Sequence, residues 1–381
     1  MVFCPYMKTK PVDIRTLPMA QKLFSAATLG NLTLQNHIVM APMTRNRATT
    51  DHAVTDIMTT YYEQRASAGL IITEGIAPSP NGNGYARVPG IYTKDQIAGW
   101  KNVTDAVHAK GGKIFAQLMH SGRVGHPVNM HENGEVIAPS AIAAAGQIYT
   151  DTDGMLDHPI PRALTTDEVK QTVQEFVQSA KNAIEAGFDG VEIHGANGYL
   201  VEQFLRSTTN QRTDEYGGSA ENNARFALEV AEQISAAIGK EKTGIRLSPY
   251  GVFNDMPYSP DDDKIYHYIA KKLSDYVVYV HLVDHESMGA PAVDPAIVEA
   301  IRENYKGVLI LSGGYDAERA EAALTSGKAD LIAIGRPFIA NPDLVERLKT
   351  GAELNQPDFS TFYTPGEKGY TDYPVLEEAR A

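Results

Sequence analysis

The residues of this chain best equipped for chemistry stand at the ends of short apolar runs. His194, Asn197 and Tyr199 follow Val191-Glu192-Ile193, Gln117 lies near the end of Ile114–Leu118, and Arg246 sits inside Gly244–Ser248. Ala41-Pro42-Met43-Thr44-Arg45, Glu74-Gly75, Ser312-Gly313-Gly314 and Gly335-Arg336 occupy equivalent places. Hydrogen-bonding side chains, cations and glycines gathered on one rim would hold a large, polar, planar ligand that carries a phosphate. Backbone N–H groups at Gly314 and Gly335, with the Arg336 guanidinium, suit the phosphate. Read one at a time, each residue also has a plainer meaning. His194 can be a satisfied core histidine, Arg246 can pair with a carboxylate in the interior, the glycines can be turns, and a glutamine ending a strand is usually structural. Their joint placement is what singles them out.

Other chemistries are poorly served. No Gly-x-Gly-x-x-Gly follows a strand and opens a helix, and no Walker sequence is present. His120, His126 and His131, at spacings of six and five, have no acidic or cysteine partner in the pattern. They read as a polar loop, and no metal site is expected. A lyase or hydrolase would need a Schiff-base lysine or paired carboxylates at strand ends, and Glu74 is the only carboxylate well placed.

The elements that must position these residues repeat one grammar: an amphipathic helix, a glycine, a short apolar strand. In the clearest case Thr165 and Glu168 have capping-box spacing. Val169, Val173, Phe176, Val177, Ala180 and Ile184 then recur at helical period, Gly187 stops the helix, and strand Val191–His194 follows. Ile97–Gly111, Phe226–Gly239 and Ala317–Gly327 precede Ile114–Leu118, Gly244–Ser248 and Leu331–Gly335 in the same way. With His37–Pro42, Leu70–Gly75, Tyr279–Asp284 and Val308–Gly313 there are eight strand candidates. Strands alternating with helices pair in parallel, and eight such units predict an α/β fold, a (β/α)8 TIM barrel. Thr28–Thr33 reads as an N-terminal β-hairpin plugging the bottom of the barrel. The long loop after strand 3, Met119–Leu164, is irregular and suits a lid or binding loop. The expected organisation is a 1–22 N-terminal extension and a single domain over 23–381.

The chain has 381 residues, 43% hydrophobic and 21% charged, so its core needs no disulfide or metal staple. Its one cysteine, Cys4, reads as a loose terminal thiol. A net charge of −13 argues against nucleic acid or anionic membranes as partners. No segment approaches the roughly 20 apolar residues of a membrane span, and the prolines at 5, 11 and 18 interrupt any signal-like run. The expected location is cytoplasmic.

Several stretches, in order, carry a resemblance. They are Met40-Ala41-Pro42-Met43-Thr44-Arg45, Tyr61-Tyr62-Glu63-Gln64-Arg65-Ala66-Ser67-Ala68-Gly69-Leu70-Ile71-Ile72, and His194-Gly195-Ala196-Asn197-Gly198-Tyr199-Leu200. Asp214-Glu215-Tyr216-Gly217-Gly218-Ser219, Gly335-Arg336-Pro337-Phe338 and Gly369-Tyr370-Thr371-Asp372-Tyr373-Pro374 follow. From about Leu23 to Pro374 the chain resembles the old yellow enzyme family of FMN-dependent ene-reductases, in its His/Asn version.

The resemblance implies bound FMN, with NADPH or NADH as co-substrate and enones as substrates. It implies hydride transfer from flavin N5 to the β-carbon of an α,β-unsaturated carbonyl compound, in a monomer or homodimer. Ala41, Pro42, Met43, Thr44, Gly75 and Gln117 would bind the flavin ring, and Arg246 would lie by its pyrimidine edge. Gly313, Gly314, Gly335 and Arg336 would bind the phosphate. His194 and Asn197 would hold the carbonyl oxygen, and Tyr199 would donate the proton. Tyr85, Phe253 and Tyr363 would line the pocket. Two departures stand out. Met119 occupies a position where tryptophan is frequent, altering one pocket wall. Asn223 stands where an arginine is common and is expected on the helix surface. A non-catalytic flavin-binding protein, or an enzyme with added iron–sulfur and nucleotide domains, are rival readings. One cysteine and this length leave no room for the second.

Overall fold

In a computed structural model, residues 22–131, 134–258, 261–286 and 293–376 are described. Cys4 and nearly all of the N-terminal extension lie outside them. Two short strands come first, β1 (Ala27–Leu29) and β2 (Leu32–Leu34), paired antiparallel around Gly30-Asn31. Gly30 takes φ +55, and a Cβ there would stand 3.1 Å from Glu241 and 3.2 Å from Val278. Those residues lie just before two barrel strands, so the hairpin seals the N-terminal end, as its sequence predicts.

The barrel strands are β3 (Ile38–Met40), β4 (Leu70–Ile76) and β5 (Ile114–Leu118), then β10 (Gly190–Gly195), β11 (Thr243–Leu247), β12 (Tyr279–Val283), β13 (Val308–Ser312) and β14 (Leu331–Ile334). All eight pair in parallel and close on themselves, β14 against β3. Crossovers run through α1 (Asp56–Gln64), α2 (Lys94–Ala109), α3 (Thr166–Glu185), α4 (Leu200–Leu205) with α5 (Ala220–Ile238), α6 (Asp262–Leu273), α7 (Pro295–Asn304) and α8 (Ala317–Thr325). Two further helices, α9 (Arg336–Ala340) and α10 (Leu344–Thr350), follow the last strand. The predicted TIM barrel is therefore the observed one. At α3, Thr165 Oγ1 accepts from the Glu168 N–H and the Glu168 carboxylate accepts from the Thr165 N–H at 2.8 Å. This reciprocal cap satisfies two donors that the first turn leaves orphaned.

Between β5 and α3 the chain is more regular than its composition suggests. It forms β6 (Ile137–Ala138), β7 (Gln147–Thr150), β8 (Gly154–Asp157) and β9 (Arg162–Ala163). β7 and β8 make an antiparallel hairpin, and β6 pairs with β9. These strands are short and mostly solvent-facing, which is why no strong alternation announced them. The hairpin is tied down from outside: Asn129 donates to the Tyr149 carbonyl at 2.9 Å, and Arg87 pairs with Asp151 at 2.8 Å. Asn223 corrects another expectation. It is buried, and its amide donates to the Leu205 carbonyl at 3.2 Å, joining α5 to the end of α4.

Candidate active site

Side chains alternate between the two faces of a strand, and this parity selects what enters the barrel. Ile114, Ala116, Val191, Ile193, Ile245 and Leu247 pack outward in the core beneath the helices. Their neighbours Phe115, Gln117, Glu192, His194 and Arg246 face inward. The lowest inner tier is apolar: Val39, Leu70, Phe115, Tyr279, Ile310 and Leu331 pack with Leu29 and Leu34 of the hairpin. The next tier is polar. Register sets Gln117 beside Glu192, and Arg246 between His194 and His281. Gln117 donates to one Glu192 oxygen at 2.8 Å, and His281 Nδ1 lies 2.9 Å from the other. Glu192 and His281 were not singled out in the sequence. Glu192 sits one inward step below His194, and His281 lies level with Arg246 on the next strand; the period-2 pattern is the signal that finds them.

Above this tier, at the C-terminal ends of the strands, opens a cavity of about 1250 Å3. Ala41, Pro42, Met43 and Thr44 after β3, Gln117 and Met119 after β5, and His194, Asn197 and Tyr199 after β10 all line it. So do Arg246, Gly313, Gly314, Gly335 and Arg336, with Tyr85, Phe253 and Tyr363 at the rim. Gly75 is not part of the wall. A Cβ there would stand 2.5 Å from Met119 Sδ, so Gly75 makes room for Met119 to pack beside the cavity. Phe253 and Tyr363 are largely exposed at the mouth. Arg45 and Arg47 fix the segment bearing Tyr363 by donating to the Phe362 carbonyl at 3.1 and 2.9 Å.

The imidazole of His194 and the amide of Asn197 converge. His194 Nε2 and Asn197 Nδ2 are 3.5 Å apart. Burial, and then the charge of Arg246, hold His194 well below its ordinary pKa, so it stays neutral. Its Nε2–H tautomer and the Asn197 amide then offer two donors to one oxygen. The Tyr199 ring meets the His194 ring edge-on, centroids 5.0 Å apart, and its hydroxyl donates to Tyr85 Oη at 3.2 Å. Burial raises both phenols above their usual value, so each keeps its proton. Burial lowers the Arg246 pKa, yet a guanidinium stays charged. Burial and the Arg246 charge also bring His285 to about 4.

Six residues that line the cavity carry a buried polar atom with no hydrogen-bond partner among the described residues: Asn46 Oδ1, His158 Nδ1, His194 Nδ1, Asn197 Oδ1, Arg246 Nε and His285 Nδ1. Buried polar atoms are nearly always bonded, so orphans gathered on the residues around one cavity point to a ligand site. Gly335 adds bare backbone. The nearest atoms to a Cβ built on it are Met43 Sδ at 3.6 Å and Ala41 Cβ at 3.8 Å. Donors at one end, and two loops with glycines and Arg336 at the other, fit a flavin mononucleotide. Among the described residues no cluster of His, Cys, Asp or Glu can hold a metal ion, and no helix is long and apolar enough to cross a membrane.

Residues 22–355 match the NADH:flavin oxidoreductase / NADH oxidase family. The chain belongs to this family. It is one of the FMN-binding old yellow enzymes. A probable flavin mononucleotide-dependent alkene reductase of Leishmania infantum is 41% identical, over 97% of this chain and 99% of that protein. The 12-oxophytodienoate reductase 1 of Oryza sativa is 43% identical, over 93% of both. Among solved structures, morphinone reductase superposes with a TM-score of 0.90 at 44% identity, over 94% of this chain and 97% of that one. It has also been seen in complex with tetrahydroNAD, a nicotinamide nucleotide.

Within the old yellow enzyme barrel, several groups beside the site escaped the sequence reading. Ser248, Asn254 and Glu202 bond the Asn197-Gly198 turn. Arg87 and Asp151 join across the mouth. Tyr61 and Tyr370, within the matching stretches, stack at 4.1 Å and anchor the C-terminal segment; their role is packing.

Proposed function

We propose that this protein is an FMN-dependent ene-reductase that uses NADPH or NADH to reduce the C=C bond of α,β-unsaturated carbonyl compounds. Bound FMN supplies the hydride, taken from the nicotinamide and delivered to the β-carbon. The chain's own residues do the rest. His194 and Asn197 hold the carbonyl oxygen between their nitrogens and stabilise the charge that develops on it. Losing one preorganised donor of this kind costs roughly 3–4 kcal/mol in barrier. Tyr199, kept protonated by burial, delivers its proton to the α-carbon. Arg246, which lines the cavity, would hold positive charge beside the bound flavin. Gln117 and the Ala41–Thr44 segment bind the ring, with Gly75 behind them, and Gly313, Gly314, Gly335 and Arg336 bind the phosphate. Met119, Tyr85, Phe253 and Tyr363 shape the space left for substrate. Residues 23–381 act as one FMN-binding unit on dissolved small molecules in the cytoplasm.

The observation that carries this reading is the convergence of His194 Nε2 and Asn197 Nδ2, 3.5 Å apart, beside a protonated phenol in the cavity. A lyase, a hydrolase or a mere flavin carrier has no use for that trio. The test is spectroscopic. The purified protein, supplied with FMN, is yellow; anaerobic NADPH or NADH bleaches it, and cyclohexenone restores the colour. A protein that takes up no FMN, or whose bleached form ignores the enone, ends the reading.

A further inference from the structure

Asn197 holds a left-handed backbone, φ +60, and Gly198 follows at +76. Such conformations are uncommon for a residue with a side chain. This double step turns the chain sharply after β10 and swings the Asn197 amide back toward His194. Its carbonyls are held by Asn254 and Gln203, which donate to Asn197 and Gly198 at 2.8 and 2.7 Å, and its N–H groups are held from behind the cavity. The Asn197 N–H donates to Ser248 Oγ at 2.9 Å, and Ser248 donates onward to Glu202 Oε1 at 2.9 Å. The Gly198 N–H donates to Glu202 Oε2 at 2.6 Å. Two consecutive backbone donors thus end on one carboxylate, one directly and one through a hydroxyl.

Glu202 is fully buried on α4. Arg206, the residue capping the C-terminus of that helix, reaches it at 2.9 Å and reaches Asp262 at 2.5 Å. An ionic network this deep is a poor stabiliser, because removing charges from water costs about what their attraction returns. Well-packed apolar replacements are often as stable or more so. Among the described residues, this network meets the cavity wall at the Asn197-Gly198 backbone.

We propose that Glu202 is a positioning residue for substrate binding: through the Gly198 N–H and Ser248 it holds Asn197 in the left-handed turn that sets its amide beside His194. The proposal rests on the ene-reductase reading above. It differs from a role in stability because it predicts coupling to one side chain.

The experiment uses FMN-loaded protein titrated with para-hydroxybenzaldehyde, a phenol whose oxygen takes the place of the enone carbonyl oxygen, followed by its long-wavelength absorption with the flavin. Glu202→Gln keeps the shape but turns one acceptor into a donor, so it cannot accept from both Gly198 and Ser248. Phenol binding is expected to weaken about tenfold, with KM for cyclohexenone rising alongside and FMN affinity unchanged. In an Asn197→Ala background the same substitution is expected to shift phenol binding less than about twofold. Should Glu202→Gln fail to fold, Ser248→Ala makes the same test with the same expected coupling. Native-like phenol binding in the folded variant, or equal losses in both backgrounds, overturns the proposal alone. A native holoprotein that binds no phenol overturns the ene-reductase reading, and the proposal with it.

Discussion

At the scale of single residues, the proposed chemistry assigns proton donation to Tyr199 and oxygen binding to His194 and Asn197. Tyr199 contacts His194 by its ring and donates its hydroxyl to Tyr85, a bond it would exchange for the α-carbon on delivering its proton. Tyr199→Phe is expected to slow enone reduction by about 10²–10⁴, while flavin reduction by NADPH stays near native. Stopped-flow measurement of the two half-reactions decides it, and equal losses in both would make Tyr199 structural. The pH dependence has a definite sign. Burial raises the Tyr199 pKa, so the proton is present below the ordinary phenol value of about 10 and is lost only above it. No alkaline fall in enone turnover from this group is expected up to about pH 10.

At the scale of elements, register and parity do the positioning. The inward tier holds Gln117, Glu192, His194, Arg246 and His281 because these alternate with residues that pack under the helices. Gln117, His194 and Arg246 were legible in the sequence, whereas Glu192 and His281 were not singled out there. The turn after β10 was not legible either, since a left-handed Asn197 depends on Ser248 and Glu202, which come from other elements. Nor was the meaning of Gly75, whose missing Cβ accommodates Met119 across the β4–β5 pair. Gly75→Ala must push the flexible Met119 side chain aside, toward the cavity. KM for bulky enones is expected to rise about tenfold, more than for small ones. Gly75→Ala/Met119→Ala should restore it; an unchanged substrate profile in the single variant would show that Met119 yields in another direction.

At the scale of the whole molecule, buried histidines set an acid limit on stability. His120 is fully buried against Phe176, and its Nδ1 accepts from the Gly122 N–H, so it is held neutral and burial brings its pKa to about 3. Its unfolded value is near 6.5. The unfolded chain therefore binds the proton first, and stability falls as pH drops from about 6.5 toward about 3. By pH 4.5 this histidine alone removes on the order of 1–3 kcal/mol. Glu74 works the other way. Burial raises it to about 7, so its share of stability is lost as pH rises from about 4.5 to about 7. His120→Asn keeps an acceptor for Gly122 without a titrating ring. Denaturant unfolding at pH 7.5 and 4.5, with saturating FMN, should show a smaller acid loss in that variant. A loss as large as the native protein's would place the acid sensitivity elsewhere.

The sequence alone determined the fold and the strand-end part of the cavity wall. Eight apolar strands between amphipathic helices have one economical closure, and chemistry in that closure gathers at the strand ends. It also pointed to His194, Asn197 and Tyr199, whose spacing within one strand-end segment is local. Tertiary structure decided what depends on contact between distant segments: the Glu192 pairing beneath Gln117, the carboxylate behind Asn197, and the space Gly75 leaves for Met119. It also decided the order hidden in residues 119–164. The physical reason is one of range. Periodicity and turn chemistry are written in neighbouring residues, whereas a hydrogen bond between Gly198 and Glu202 gains its meaning only when Ser248, fifty residues on, arrives beside them.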